Sequence, residues 1–173
     1  MDNLHQILMP FMKVIHIIAG VFWVGTIAFL TLVLEPHYRK QGRNILRNQM
    51  TSILPVMGPF LLVATILSVI SGAAMIYILG YSWVTTLNGQ IIIIGAIAAI
   101  VAFFVGDIWV RIERNRLRDY GEQLAIQTLE GNPPGAEESN KVKRLEDRLW
   151  FIGRLNFGIL LVALTCMAIA QYL

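Results

Sequence analysis

The sequence predicts an all-α fold: an integral membrane four-helix bundle with a cytoplasmic helical hairpin between helices 3 and 4. Three observations predict it. Of 173 residues, 56% are hydrophobic and only 14% charged, against about 25% charge in a typical soluble domain. Four apolar runs are long enough to cross roughly 30 Å of hydrocarbon at about 1.5 Å per residue. The basic residues between these runs crowd onto alternate connections.

The first span covers residues 10–34, with Pro10 suited to the first turn of a helix. Its apolar run is longer than a signal-peptide core, and Asp2 stands where a basic cluster would be expected. It is therefore read as a structural helix, not as a cleaved leader. The second span covers residues 54–79, with Pro55 and Pro59 in its first turns, where a missing N–H costs least. The third covers 88–110 and the fourth 150–172. Together they form one transmembrane domain over residues 1–173. Ser68 and Gly72 in the second span, and Gly95 and Ala99 in the third, are small residues at i,i+4 spacing that let helix backbones approach closely.

Charge sets the expected orientation. Arg39, Lys40, Arg43 and Arg47 lie between spans one and two, and eight basic residues lie between spans three and four. The connection at 80–87 has no Lys or Arg. This asymmetry predicts an inner (plasma) membrane protein with both basic connections in the cytoplasm and both termini outside.

Residues 111–149 are too many for a plain loop. Leu117, Tyr120, Leu124 and Thr128 share a helical face, residues 131–135 read Gly-Asn-Pro-Pro-Gly, and Val142, Leu145 and Leu149 form a second stripe. The reading is a helical hairpin whose stripes pack together, with Arg118–Glu122 and Lys143–Asp147 as i,i+4 pairs. The segment holds eight basic and eight acidic residues, so no net field would hold nucleic acid.

In the first span, Lys13, His16, Gly20 and Trp23 step by three or four residues and share a face. His16 lies about 9 Å inside the outer boundary. By the same counting, Met75, Cys166 and Met167 lie at a similar depth and Met12 one turn further out, so all gather in the outer third. Imidazole, thioether and thiolate suit copper(I), and His or Met also suits haem iron. An ionisable residue inside a span is a functional candidate by default; the plain alternative is a packing layer in which methionine fills gaps. Near the cytoplasmic boundary, Glu35, Asp107, Arg154 and Asn156 form a second polar layer. Asp107 with Arg154 is expected there as an ion pair joining spans three and four, or as a proton or headgroup site. A lone cysteine excludes an intrachain disulfide and any Cys-rich zinc site. Phosphate loops, zinc-protease and nucleophile-elbow motifs are absent.

The pattern Lys13-x-x-His16-Ile17-Ile18-Ala19, with Trp23 seven residues after the histidine, resembles the first helix of two groups of compact four-helix membrane proteins. One is the HemJ-type protoporphyrinogen oxidase family, whose members bind haem b. The other is the CopD-like copper resistance group, implicated in copper uptake. The resemblance covers about 25 residues. It implies haem b or copper at His16, with Lys13, Gly20 and Trp23 as helix neighbours. In the haem version, Gly20 leaves room for the macrocycle and Trp23 walls it. In the copper version, His16 works with Met12, Met75 and Cys166 or Met167. The His and Lys that the HemJ-type third helix carries have no counterpart in residues 88–110.

Two functions are expected on these grounds. The first is a membrane redox or metal-handling protein with haem b or copper near the outer face. The second is a non-catalytic accessory subunit of a larger membrane complex, or a homodimer, docked through its small-residue faces and its hairpin. Four unbroken spans without an inverted repeat argue against a transporter working alone.

Overall fold

The computed structural model describes residues 2–37 and 43–172, all helix and turn among the described residues. Four helices are long and apolar enough to cross a membrane, over Gln6–His37, Val56–Leu79, Leu87–Leu129 and Ala136–Ala170. Large apolar side chains such as Ile17, Ile18, Val21, Phe60, Ile70 and Ile97 face outward from them. Water would penalise that surface heavily, whereas lipid does not. The chain is a multi-pass membrane protein.

Helix α1 (Asp2–Phe29) is extended by a π-helical turn, Leu30–Leu34. Helix α2 is Arg43–Leu79. Helix α3 starts as Leu87–Phe103, passes through a second π-helical turn, Phe104–Trp109, and continues as Val110–Leu129. Helix α4 is Ala136–Ala170. Two helix starts differ from the sequence reading. Pro10 lies inside α1, and Pro55 and Pro59 lie inside α2. Hydropathy marks where hydrocarbon begins, not where backbone hydrogen bonding begins. Each proline removes one helical bond, and the helix continues through it. Arg39 and Lys40 of the first basic connection lie outside the described residues.

The turns reflect local chemistry. Gly80 takes φ +79°, a left-handed conformation that favours glycine, and ends α2. A single helical turn, Tyr81–Val84, comes next, and the Thr86 hydroxyl caps α3 by accepting from Gly89 N–H at 3.1 Å. A Cβ on Gly89 would overlap the Trp83 carbonyl oxygen. Gly89→Ala is therefore expected to force the turn open and cost about 1–3 kcal/mol, read as a lower unfolding midpoint in detergent. At the other connection, Gly131 has φ +88° and the Glu138 carboxylate accepts from Gly135 N–H at 2.9 Å, starting α4.

Packing is mainly pairwise, α1 on α2 and α3 on α4. Trp23 joins the pairs: 3% exposed, it belongs to one core with Leu61 and Ala64 of α2, Ala102 of α3 and Leu160 of α4. Small residues set the close approaches. A Cβ on Gly95 would sit 3.1 Å from both Ala163 O and Cys166 Cβ, and one on Gly20 would sit 3.6 Å from Ser68 Oγ. Beyond the apolar stretches, α3 and α4 run on side by side. Lys141 Nζ lies 4.4 Å over the Tyr120 ring, Arg148 pairs with Glu113 at 3.5 Å, and Leu124 is buried. Arg118 pairs with Glu122 at 3.7 Å along α3, while Thr128 faces outward and donates to Leu124 O.

Candidate functional site

His16 meets α2 where that helix is stripped to small residues. Its Nδ1 lies 2.8 Å from Ser68 O. A carbonyl only accepts, so Nδ1 is assigned the proton and Nε2 the lone pair. Ser71 Oγ, whose own proton goes to Leu67 O at 2.6 Å, lies 3.4 Å from the same nitrogen as a longer contact. The ring lies flush on the backbone because residue 72 is glycine; a Cβ there would come within 3.0 Å of His16 Cε1 and 3.2 Å of Nδ1. The interaction fixes the tautomer and leaves Nε2 without a hydrogen-bond partner among the described residues.

The other first-helix residues divide by their surroundings. Lys13 is exposed, and Met12, one turn before His16, is half-buried. On the antiparallel α2, Met75 is one turn past Ser71 and also half-buried. Met12 and Met75 thus lie one turn to the same side of the histidine contact, one on each helix of the pair. Gly20 faces Ser68, so the space its missing side chain leaves is taken up by the approach of α2. Trp23 lies inside the four-helix core rather than beside an opening. Cys166 and Met167 dock against Gly95 of α3. The structure therefore places His16 in one helix pair and the thiol with its neighbouring thioether in the other. Among the described residues, no three His, Cys, Asp or Glu side chains converge as a metal-ligating group.

At the opposite end the expected pairing is replaced by another. Arg154 does not pair with Asp107; it makes a two-pronged contact with Glu35 of α1, with Nε at 3.2 Å from Oε2 and Nη2 on Oε1. Glu35 is 1% exposed. Asp107 instead neighbours Thr65 of α2 and Arg111. Asn156 packs on Gly106, where any side chain would collide with its amide, and its buried Oδ1 has no hydrogen-bond partner among the described residues. Both π-helical turns border this layer: Glu35 comes directly after one, and Gly106 and Asp107 lie within the other. Such turns insert an extra residue into a helix and re-aim the side chains beyond it, and they concentrate at functional sites.

Compared with protein-family models, curated proteins and solved structures, the chain gives no significant match in any of the three.

Proposed function

We propose that this protein handles copper(I) within the membrane, with His16 Nε2 as the nitrogen ligand and Met12 and Met75 as the sulfur ligands. The observation that carries the reading is the Nδ1 contact with Ser68 O at 2.8 Å. A histidine that ligates through one nitrogen commonly donates from the other to a carbonyl, which fixes the ring and raises its basicity. Half-buried thioethers on the same helix pair supply the soft donors that copper(I) prefers. The first-helix resemblance to the CopD-like group points the same way. Charge asymmetry supports a plasma-membrane orientation with both termini outside, the α3–α4 extension in the cytoplasm, and His16 in the outer third. Ion capture from the outer side is the step this arrangement suits.

Haem b is the second reading, carried by the same open Nε2, with exposed Lys13 one turn away as a partner for a propionate. One measurement on protein purified in mild detergent separates the two: copper and iron content together with the visible spectrum. The expected result is stoichiometric copper(I), no Soret band, and at least about a tenfold loss of copper in His16→Ala. Cys166→Ser should leave the copper in place, because Cys166 packs through its Cβ on Gly95 of α3. A Soret band lost in His16→Ala would replace copper with haem. Wild-type protein carrying neither would leave the accessory-subunit reading, in a homodimer or a larger complex, to be pursued through co-purifying proteins.

A further inference from the structure

Arg114 lies one turn beyond Val110, where α3 leaves its apolar stretch. Its guanidinium does not extend straight into solvent. Nη1 lies 3.9 Å from the position a Cβ on Gly58 would take, so the group rests against α2 and is half-buried. The charges nearest in effect are two more guanidiniums, Arg111 and Arg118, both repulsive. Arg118 is offset by Asp119 and Glu122 at 3.4 and 3.7 Å. Arg111 has Asp107 nearby and donates from Nε to Asp107 O at 3.2 Å. Among the described residues no carboxylate pairs with Arg114. Nor can the stretch 38–55 supply one, since it contains four basic residues and no Asp or Glu. A partly desolvated cation beside like charges needs an anion from outside the chain.

The surroundings indicate which anion. Val56 and Phe60 on α2, and Ile108 and Ile112 on α3, are exposed apolar side chains two to six residues along their helices from the Gly58–Arg114 contact, at the level where the guanidinium lies. The site thus joins a guanidinium fork to a hydrocarbon-facing surface. A guanidinium takes phosphate oxygens in pairs, and the exposed apolar side chains at this level suit acyl chains. We propose that Arg114, supported by Arg111, binds the phosphate group of an anionic phospholipid in the groove between α2 and α3 at Gly58. A free phosphate ion offers the same oxygens but gains nothing from the surrounding apolar side chains.

The test uses the full chain, stripped of lipid in neutral detergent. Phosphatidylglycerol, phosphatidylcholine or inorganic phosphate is added, and retained lipid is read by native mass spectrometry alongside the thermal midpoint. Phosphatidylglycerol is expected to be retained and to raise the midpoint by roughly 3 °C or more, with little effect from the other two. In Arg114→Gln, retention should fall about tenfold, while Lys143→Gln, which removes an exposed charge elsewhere, should match wild type. Arg114→Lys keeps the charge without the fork and should fall between; it also stands in if the glutamine variant does not fold. Equal retention in Arg114→Gln and Lys143→Gln overturns the proposal. A midpoint rise from inorganic phosphate equal to that from phosphatidylglycerol overturns the lipid as the ligand.

Discussion

Trp23→Ala is expected to destabilise the protein by about 3–5 kcal/mol, the range for removing a large aromatic from a packed core. Trp23 is the buried first-helix member of the core that includes Leu61 and Ala64, Ala102 and Leu160, with Val24 and Ile27 packed against it. Its indole therefore bridges two helix pairs that otherwise touch sparingly. In lipid, helices gain little from the hydrophobic effect when they associate, because acyl chains are as apolar as leucine. What the indole supplies is packed volume in the core shared with the other three helices, and the alanine variant leaves that volume empty. Detergent-mediated unfolding should show the loss, with Trp23→Phe recovering part of it. Copper content per folded molecule should stay at the wild-type level, since the His16 contact with Ser68 and Gly72 does not pass through Trp23. A copper loss in the alanine variant matching that of His16→Ala would instead make Trp23 part of the binding pocket.

Much of this architecture is legible in the sequence because lipid imposes a length rule. An apolar run of about 20 residues must be a helix, since no other single segment satisfies its backbone in hydrocarbon. The close approaches are legible too: Gly72 and Gly95 do allow contact, with His16 and with Ala163 and Cys166. Lateral position is not. Counting residues from a boundary places Met12, Met75, Cys166 and Met167 in one outer third, but depth does not say which neighbour a helix faces. The pairwise packing separates Cys166 and Met167 from His16, and no periodicity announces that division. Register is lost at the π-helical turns. One extra residue turns every later side chain by roughly 100° relative to an α-helical count. Glu35 comes after such a turn and Asp107 lies in another, so a helical wheel drawn through either misplaces them. Depth puts Glu35, Asp107 and Arg154 in one layer and does not choose between the two carboxylates; Glu35 is the observed partner.

That ion pair has a consequence for stability that differs between its two members. Glu35 is 1% exposed, while the Arg154 side chain is 57% exposed. If the carboxylate is removed, as in Glu35→Gln, the guanidinium can move its head toward water along its flexible stem. If the guanidinium is removed, as in Arg154→Met, the carboxylate has no such route. It loses two charge-assisted hydrogen bonds in a place where desolvation is costly. Breaking a buried pair from one side costs roughly 3–5 kcal/mol. Glu35 makes a further interaction besides Arg154, which sets the expectation for Arg154→Met at about 3 kcal/mol, the low end. Glu35→Gln should cost less, about 1–2 kcal/mol, the worth of a hydrogen bond to a charged group. The double variant Glu35→Gln/Arg154→Met should be more stable than Arg154→Met alone, because it removes the stranded charge. A double-mutant cycle on unfolding midpoints measures all three. Equal costs for the two single variants, with no recovery in the double, would mean that the buried carboxylate does not depend on Arg154 and that the link between α1 and α4 is made elsewhere.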